Sequence, residues 1–209
     1  MTRMPALART AAAALLIAGF AVHAQAPAEL EPLFDGTLSG WTVENDAAAS
    51  VADGVLRIDA PRGWLRSNEQ YEDFTLRIEF RFLDDDTDSG IFVRAVADDT
   101  FGPGWPSNAY QVQLRNPIGE SRFPPIGGLF RHGKPPGETR FDVADAERLS
   151  LGTGVWQTLE IDVEGESLAV RLNGEPLTEA SAIENPRGYI GIQAELGAVE
   201  FRAIEIAAR

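Results

Sequence analysis

The chain of 209 residues contains no cysteine, which excludes disulfides, thiol nucleophiles and thiolate metal sites. It has two histidines, His23 and His132, too few for a histidine-built metal centre. Basic residues are scarce, with 18 Lys and Arg against 32 Asp and Glu and a formal charge of −14. Phosphate backbones and anionic lipids are held by clusters of Lys and Arg, so no nucleic-acid partner is expected. The longest apolar run falls well short of the roughly 20 residues a membrane helix needs, and no membrane insertion is expected. There is also no Gly-x-Ser-x-Gly elbow, no phosphate loop and no dinucleotide fingerprint.

That apolar run lies at the N-terminus. Arg3 and Arg9 precede the stretch from Ala11 to Val22, and small residues follow at Ala24 and Ala26. This is the pattern of a secretory signal peptide. Cleavage fits after Ala24 or after Ala26, and the first is favoured because the second puts Pro27 directly after the cut. The chain then divides into a leader at 1–24, an Ala/Pro/Glu linker at 25–32 and a folded region at 33–207. Losing Arg3 and Arg9 leaves sixteen basic residues against 32 acidic ones, a formal charge of −16. An exported, acidic protein without disulfides suits the periplasm of a Gram-negative bacterium or the medium outside it. About 185 mature residues are enough for one well-buried core.

The body of the chain reads as strands. From Phe74 to Phe82, Phe74, Leu76, Ile78, Phe80 and Phe82 alternate with Thr75, Arg77, Glu79 and Arg81, a period of two that marks a half-buried strand. Similar runs are 55–58, 90–95, 110–114, 158–163, 168–172, 189–193 and 199–206, and no segment shows a helical period. Asp53-Gly54 and Asn173-Gly174 are turn pairs; the second leads into an irregular stretch. Many short strands predict an all-β fold, a jelly-roll β-sandwich of two antiparallel sheets. Between Asp98 and Thr153 the glycines and prolines concentrate, interrupted only by 110–114 and Leu129-Phe130. That region is expected to supply one wall of a binding site.

Strand pleat groups the polar candidates. With Tyr110, Val112 and Leu114 inward, Gln111 and Gln113 point the other way together. With Ile190, Ile192 and Ala194 inward, Gln193 and Glu195 do the same. With Ile91 and Val93 inward, Arg94 is left outward. If these strands share a sheet, Arg94, Gln111, Gln113, Gln193 and Glu195 form one polar row. The row fits either a solvated sheet face or a sugar-binding face, whose amides and charges hydrogen-bond hydroxyl arrays. Three glutamines favour the second. His132 is either a surface loop residue or a base with a pKa near neutrality. Asp84–Asp86 reads as a charged turn rather than a calcium loop. Trp64 reads as core, while Trp105, between Gly104 and Pro106, is the better candidate for stacking on a pyranose.

The residues also carry a resemblance. Leu33-Phe-Asp-Gly36, Leu38-Ser-Gly-Trp41, Asp53-Gly-Val-Leu56 and Tyr71-Glu-Asp-Phe-Thr-Leu-Arg-Ile-Glu-Phe-Arg81 come first. Ser89-Gly-Ile-Phe-Val-Arg94, Tyr110-Gln-Val-Gln113, Trp156, Leu172-Asn-Gly174, Gly188-Tyr-Ile-Gly-Ile-Gln193 and the run from Val199 to Ile206 follow in order. Together they resemble the 3-keto-disaccharide hydrolases from end to end. The resemblance implies a concanavalin-like sandwich binding a small carbohydrate on its concave sheet. It also implies cleavage of glycosides whose C3 hydroxyl has been oxidised to a ketone, by C2 proton abstraction and elimination or net hydrolysis. Arg94 and Gln113 match positions the family usually retains. The chain departs from it at Asp88, where Asn is common, at Gln111, where Glu is common, and at Ala194-Glu195, where a His often follows the glutamine.

On this reading Arg94 holds the oxyanion and Glu195 or His132 is the base. Asp88, Gln111, Gln113, Gln193 and Trp105 bind substrate. The resemblance leaves room for a divalent metal, but no ligand cluster calls for one, and no cofactor is predicted. The paired carboxylates of retaining glucanases, Glu-x-Asp-x-x-Glu on one strand, are absent, which argues against an ordinary two-carboxylate glycosidase. The alternatives are a non-catalytic carbohydrate-binding module of the same fold and an envelope protein using the sandwich as a spacer.

Overall fold

A computed structural model describes residues 29–96, the backbone of 100–101, and residues 104–116, 122–132 and 137–209. The expected leader at 1–24 and the linker up to residue 28 lie outside the described residues. In chain order the strands are β1 Glu31–Pro32, β2 Trp41–Asn45, β3 Ala48–Ala52, β4 Val55–Asp59, β5 Gly63–Tyr71 and β6 Phe74–Phe82. Next come β7 Thr87–Ala95, β8 Thr100–Phe101, β9 Trp105–Pro106, β10 Ala109–Asn116, β11 Leu129–His132 and β12 Thr139–Phe141. The helix α1, Val143–Leu149, precedes β13 Gln157–Glu164, β14 Ser167–Leu172, β15 Glu175–Ala180, β16 Gly188–Ala194 and β17 Ala198–Ala208.

The back sheet runs β12-β15-β14-β13-β6-β17-β4-β3, with β1 added beside β17, and the front sheet runs β11-β10-β7-β16-β5-β2. Every strand pairing is antiparallel. This is the jelly-roll sandwich predicted from the strand pattern. Its core is built by alternation: the five apolar residues of β6 are all buried in one cluster with Ile91, Val93, Tyr110, Val112 and Leu114 of the front sheet. Each such side chain contributes roughly 1.5–3 kcal/mol by leaving water. On the other face of the back sheet Arg81 pairs with Glu200 and Arg202 with Glu79, each at 2.6 Å. The two guanidinium groups also flank Trp156 at 4.6 and 4.7 Å. Among the described residues no helix is long and apolar enough to cross a membrane.

Local chemistry explains the turns. Asp53 and Gly54 have φ of +52° and +75°, and Asn173 and Gly174 have +51° and +85°. Both pairs therefore make two-residue hairpin turns with two left-handed residues, which Asp, Asn and Gly tolerate best. The irregular stretch expected after Asn173-Gly174 is instead β15, its register broken by a bulge at Val170/Arg171. The chain also contains a helix where none was expected. Asp142 caps α1 by accepting from Ala144 N at 2.8 Å, and Ala146 and Leu149, three residues apart, are buried. At seven residues, α1 is too short for a periodic signal, so its cap was the only legible sign.

Arg94 requires a correction. Tyr189 pairs with Ala95 and Gly191 with Phe92, so Val93 and Arg94 together face Ile190 in a β-bulge. Arg94 has φ of +49°, a left-handed conformation that few non-glycine residues adopt. Strict alternation ends at this point. Ala95 rejoins the face of Phe92, and the Arg94 side chain is turned away from the expected polar row. Its guanidinium is 1% exposed and donates to Gly165 O at 2.7 Å, to Glu72 O at 2.9 and 3.1 Å, and to Asp73 Oδ1 at 2.9 Å. Gly188 passes against the backbone of the bulge, leaving no room for a Cβ.

Arg94 therefore ties the β5–β6 corner to the β13–β14 turn. Arg94→Ala is expected to lower stability by about 2–4 kcal/mol, because it strips a buried charged donor from two carbonyls and Asp73. Urea unfolding would measure this loss.

Candidate active site

The outer face of the front sheet is covered rather than solvated. Trp64, Phe92, Ala95, Trp105 and Ala109 form a second apolar cluster there, with Tyr189 packed against it. The segment after β10 adds Phe123 and Phe130. Trp105, Phe123 and Phe130 are the apolar lining of a cavity of about 100 Å³ whose other lining residues are Asp88, Gln111, Gln113, Gln193, Glu195 and His132. Every site residue predicted from the sequence is in this cavity except Arg94. Gln111, Gln113 and Gln193 are 3%, 4% and 2% exposed, so the glutamine row is buried, not the wet side of a sheet.

Register explains the assembly. On β10, Gln111 lies opposite Phe92 and Gln113 opposite Gly90 of β7. A Cβ at Gly90 would collide with the Gln111 amide, so the missing side chain is what lets Gln111 lie flat. Beyond the end of β16, Asp88 and Leu196 exchange backbone hydrogen bonds at 2.9 and 3.1 Å, which sets Glu195 beside Asp88. His132 lies opposite Ala109 on β11. It is enclosed by Phe130, Phe92 and Trp105, with ring centres 5.0, 5.6 and 6.4 Å away.

The polar side chains bond to one another. Gln111 Nε2 donates to Gln113 Oε1 and, at 2.8 Å, to Gln193 Oε1. Gln113 Nε2 donates to Asp88 Oδ1 at 3.0 Å, and Gln193 Nε2 donates to Glu195 Oε2 at 3.0 Å. His132 Nε2 lies 2.9 Å from Gln111 Oε1. At the mouth Arg62 Nη2 reaches Glu195 Oε1 at 3.1 Å, and its guanidinium lies 5.3 Å from the Trp105 ring centre. Trp105 donates its indole N–H to Ala194 O at 3.4 Å. It is thus a wall with a cation on one face rather than an open stacking platform.

Burial changes the proton affinities. It raises Glu195 to about 7, with the neighbouring Asp88 charge adding to the rise and Arg62 opposing it. It raises Asp88 to about 6, with Asp86 adding to the rise and Arg115, the Gln113 hydrogen bond and Arg62 opposing it. It lowers His132 to about 4, so the imidazole is neutral at physiological pH. Two carboxylates that interact in one cavity titrate as a pair, and midway between the two carboxyl values the pair holds about one proton. The sequence placed Asp88 among the binding residues and did not reveal this pairing, which arises where the segment following β16 meets β7. It also missed Phe123, Phe130 and Arg62. The first two lie in the Gly/Pro-rich region expected to form a wall, while nothing in the local pattern marks Arg62.

The charged turn at Asp84–Asp86 follows the sequence reading: Asp84 Oδ2 accepts from Ala198 N at 2.8 Å and Asp85 Oδ1 from Thr153 Oγ1 at 2.6 Å. Trp64 is buried against Phe92, as read from the sequence. Among the described residues no three His, Asp or Glu side chains group as they would around a metal. The cavity's two carboxylates are bonded to Gln113, Gln193 and Arg62.

The sequence profile of the 3-keto-alpha-glucoside-1,2-lyase-like domain matches residues 29–207. The chain belongs to this family. No curated protein matches it in sequence. Among solved structures, this lyase-like domain is similar to a candidate glycosyl hydrolase from Parabacteroides distasonis, at 22% identity and TM-score 0.68, over 87% of this chain and 100% of that one. It is also similar to the carbohydrate binding module CBM66 from Bacillus subtilis, at 13% identity and TM-score 0.57, over 81% and 96% of the two chains. A third is the Bacillus licheniformis β-glucanase, at 13% identity and TM-score 0.50, over 88% and 99%. At these identities the likeness establishes the concanavalin-like fold of the lyase-like domain.

The raised Glu195 pKa has a consequence for stability. Unfolded, the group titrates near 4.5, and folded near 7, so the folded state binds the extra proton between these values. Glu195 therefore contributes stability at low pH that is lost as pH rises through 7. Glu195→Gln lacks this titration. Its stability relative to the parent is expected to rise by about 1–3 kcal/mol from pH 4 to pH 8, measured by urea unfolding at each pH.

Proposed function

We propose that the protein is an exported enzyme that cleaves glycosides whose C3 hydroxyl has already been oxidised to a ketone. The observation that carries this reading is the Asp88–Glu195 pair, two carboxylates in one cavity with pKa values raised to about 6 and 7. A ketone at C3 acidifies the C2 hydrogen, and a carboxylate of raised basicity is suited to remove it. The C–H electron pair becomes the C2=C3 bond of an enolate. As the enolate collapses, a C1=C2 bond forms, the C1–O bond breaks, and the leaving oxygen takes a proton from the partner carboxylic acid. Water added across C1=C2 turns the elimination into net hydrolysis. A singly protonated pair supplies the base and the acid together.

The remaining groups hold charge. Each primary amide has two N–H bonds, and Gln113 and Gln193 each use one on a carboxylate. Their second N–H bonds are donors for the C3 oxygen as negative charge develops on it. Arg94, whose donors are bound to Glu72, Asp73 and Gly165, is given no part in this chemistry. Phe123, Phe130 and Trp105 supply apolar walls for the pyranose.

One observation favours the second reading, a carbohydrate-binding module without catalysis. A cavity of about 100 Å³ is small beside the roughly 300–1,000 Å³ of most ligand pockets, so it accepts the edge of a sugar more readily than a whole disaccharide. Chromogenic 3-keto-glucosides and their unoxidised counterparts separate the two readings. Aglycone release from the keto compounds alone, reduced about 10²–10⁴-fold in Asp88→Asn and Glu195→Gln and retained in folded Arg94→Ala, is the expected result. Saturable binding of the same sugars with no release would establish the binding module instead.

A further inference from the structure

The three glutamines differ in what they can exchange. Gln113 and Gln193 turn their Nε2 atoms to Asp88 and Glu195 and their oxygens to Gln111; an ionised carboxylate only accepts hydrogen bonds, and a protonated carboxyl still accepts on its other oxygen. Gln111 meets both oxygens with its single Nε2, which uses both of its N–H bonds. Its own oxygen then faces His132 Nε2, which must carry a hydrogen. Donation thus runs in one direction, from the imidazole to Gln111, from Gln111 to the other two amides, and from those to the two carboxylates.

Turning Gln111 over would set its oxygen against two amide oxygens. Gln113 and Gln193 would have to turn with it, presenting oxygens to Asp88 and Glu195. An arrangement between these two leaves like atoms facing each other out of water, at the full desolvation cost of an unmade bond. The network therefore has two collective directions, and the group at its head selects one.

Resting on the reading of this cavity as the reactive site, we propose that His132 is a positioning residue whose Nε2–H sets the direction of the hydrogen bonds through all three glutamines, so that Asp88 and Glu195 are each met by an amide N–H. The surroundings of the imidazole suit the task. Phe92, Phe130 and Trp105 pack around it, and burial keeps it neutral, with one N–H to give and no charge to change. Arg62 bears on both carboxylates, Arg115 and Asp86 bear on Asp88, and Asp88 bears on Glu195. These charges alter proton affinity and, through the acceptor oxygens of Asp88 and Glu195, favour the same amide direction that an Nε2–H on His132 holds.

The test begins with the unaltered full chain. Nitrogen NMR of the His132 ring between pH 6 and 8 is expected to show Nε2 protonated and Nδ1 unprotonated; the reverse tautomer would overturn the proposal. Carbon NMR titration of the Asp88 and Glu195 carboxyls then compares two variants. His132→Leu removes the donor and is expected to raise both titrations by about one pH unit, as expected when hydrogen bonds to the charged form are lost. His132→Gln, which keeps an N–H near the Nε2 position, is expected to restore them. Variants that titrate alike would refute the role, and if neither folds, the tautomer of the unaltered chain decides. None of these readouts needs turnover, so an inactive parent would sink the lyase reading while the network is still judged by its own titrations.

Discussion

Three glutamine side chains are buried on one face of a sheet, and an amide out of water that lacks partners costs about 1–3 kcal/mol. Gln111 meets this constraint for all three by donating to Gln113 and Gln193 while its oxygen takes a bond at His132. Much of the site follows from accommodating that one side chain. Gly90 has no Cβ because the amide occupies the space. β11 lies beside β10 so that His132 reaches the amide oxygen, and the carboxylates receive the donors at the far ends of the network. A polar cluster this interdependent is rigid, since no member can turn alone.

A second device separates support from chemistry. The bulge in β7 lets one strand serve both sides of the front sheet. Up to Phe92 its outward positions belong to the cavity wall, and at Arg94 the backbone enters the left-handed region and the side chain leaves for the Glu72–Asp73 corner. The residue that sequence comparison made the natural oxyanion holder thus becomes a tie between two turns. The arginine at the cavity mouth is Arg62, from the segment just before β5, held there by Glu195 and Trp105.

Within the cavity burial acts in opposite senses on different groups. It favours the protonated carboxyl and the neutral imidazole alike, because each is the uncharged form. The outcome is a carboxylate pair that can exchange a proton near neutral pH beside a histidine that cannot. On the proposed reading, proton transfer falls to Asp88 and Glu195, and hydrogen-bond direction to His132.

The sequence by itself determined the sandwich, since period-two alternation in runs such as Phe74–Phe82 can bury only one face of a strand. It also determined the family, through motifs in order along nearly the whole chain, and the common direction of Gln111 and Gln113, because pleat parity holds wherever a strand stays regular. The helix α1 was hidden because seven residues are too few to display a period. The departure of Arg94 was hidden because a bulge breaks parity without leaving a mark in composition. The pairing of Asp88 with Glu195 and the meeting of His132 with Gln111 were decided only by tertiary structure. These contacts join segments distant in the chain, and their energetics come from a low-dielectric cavity that exists only once loop, strand and sheet have closed around it.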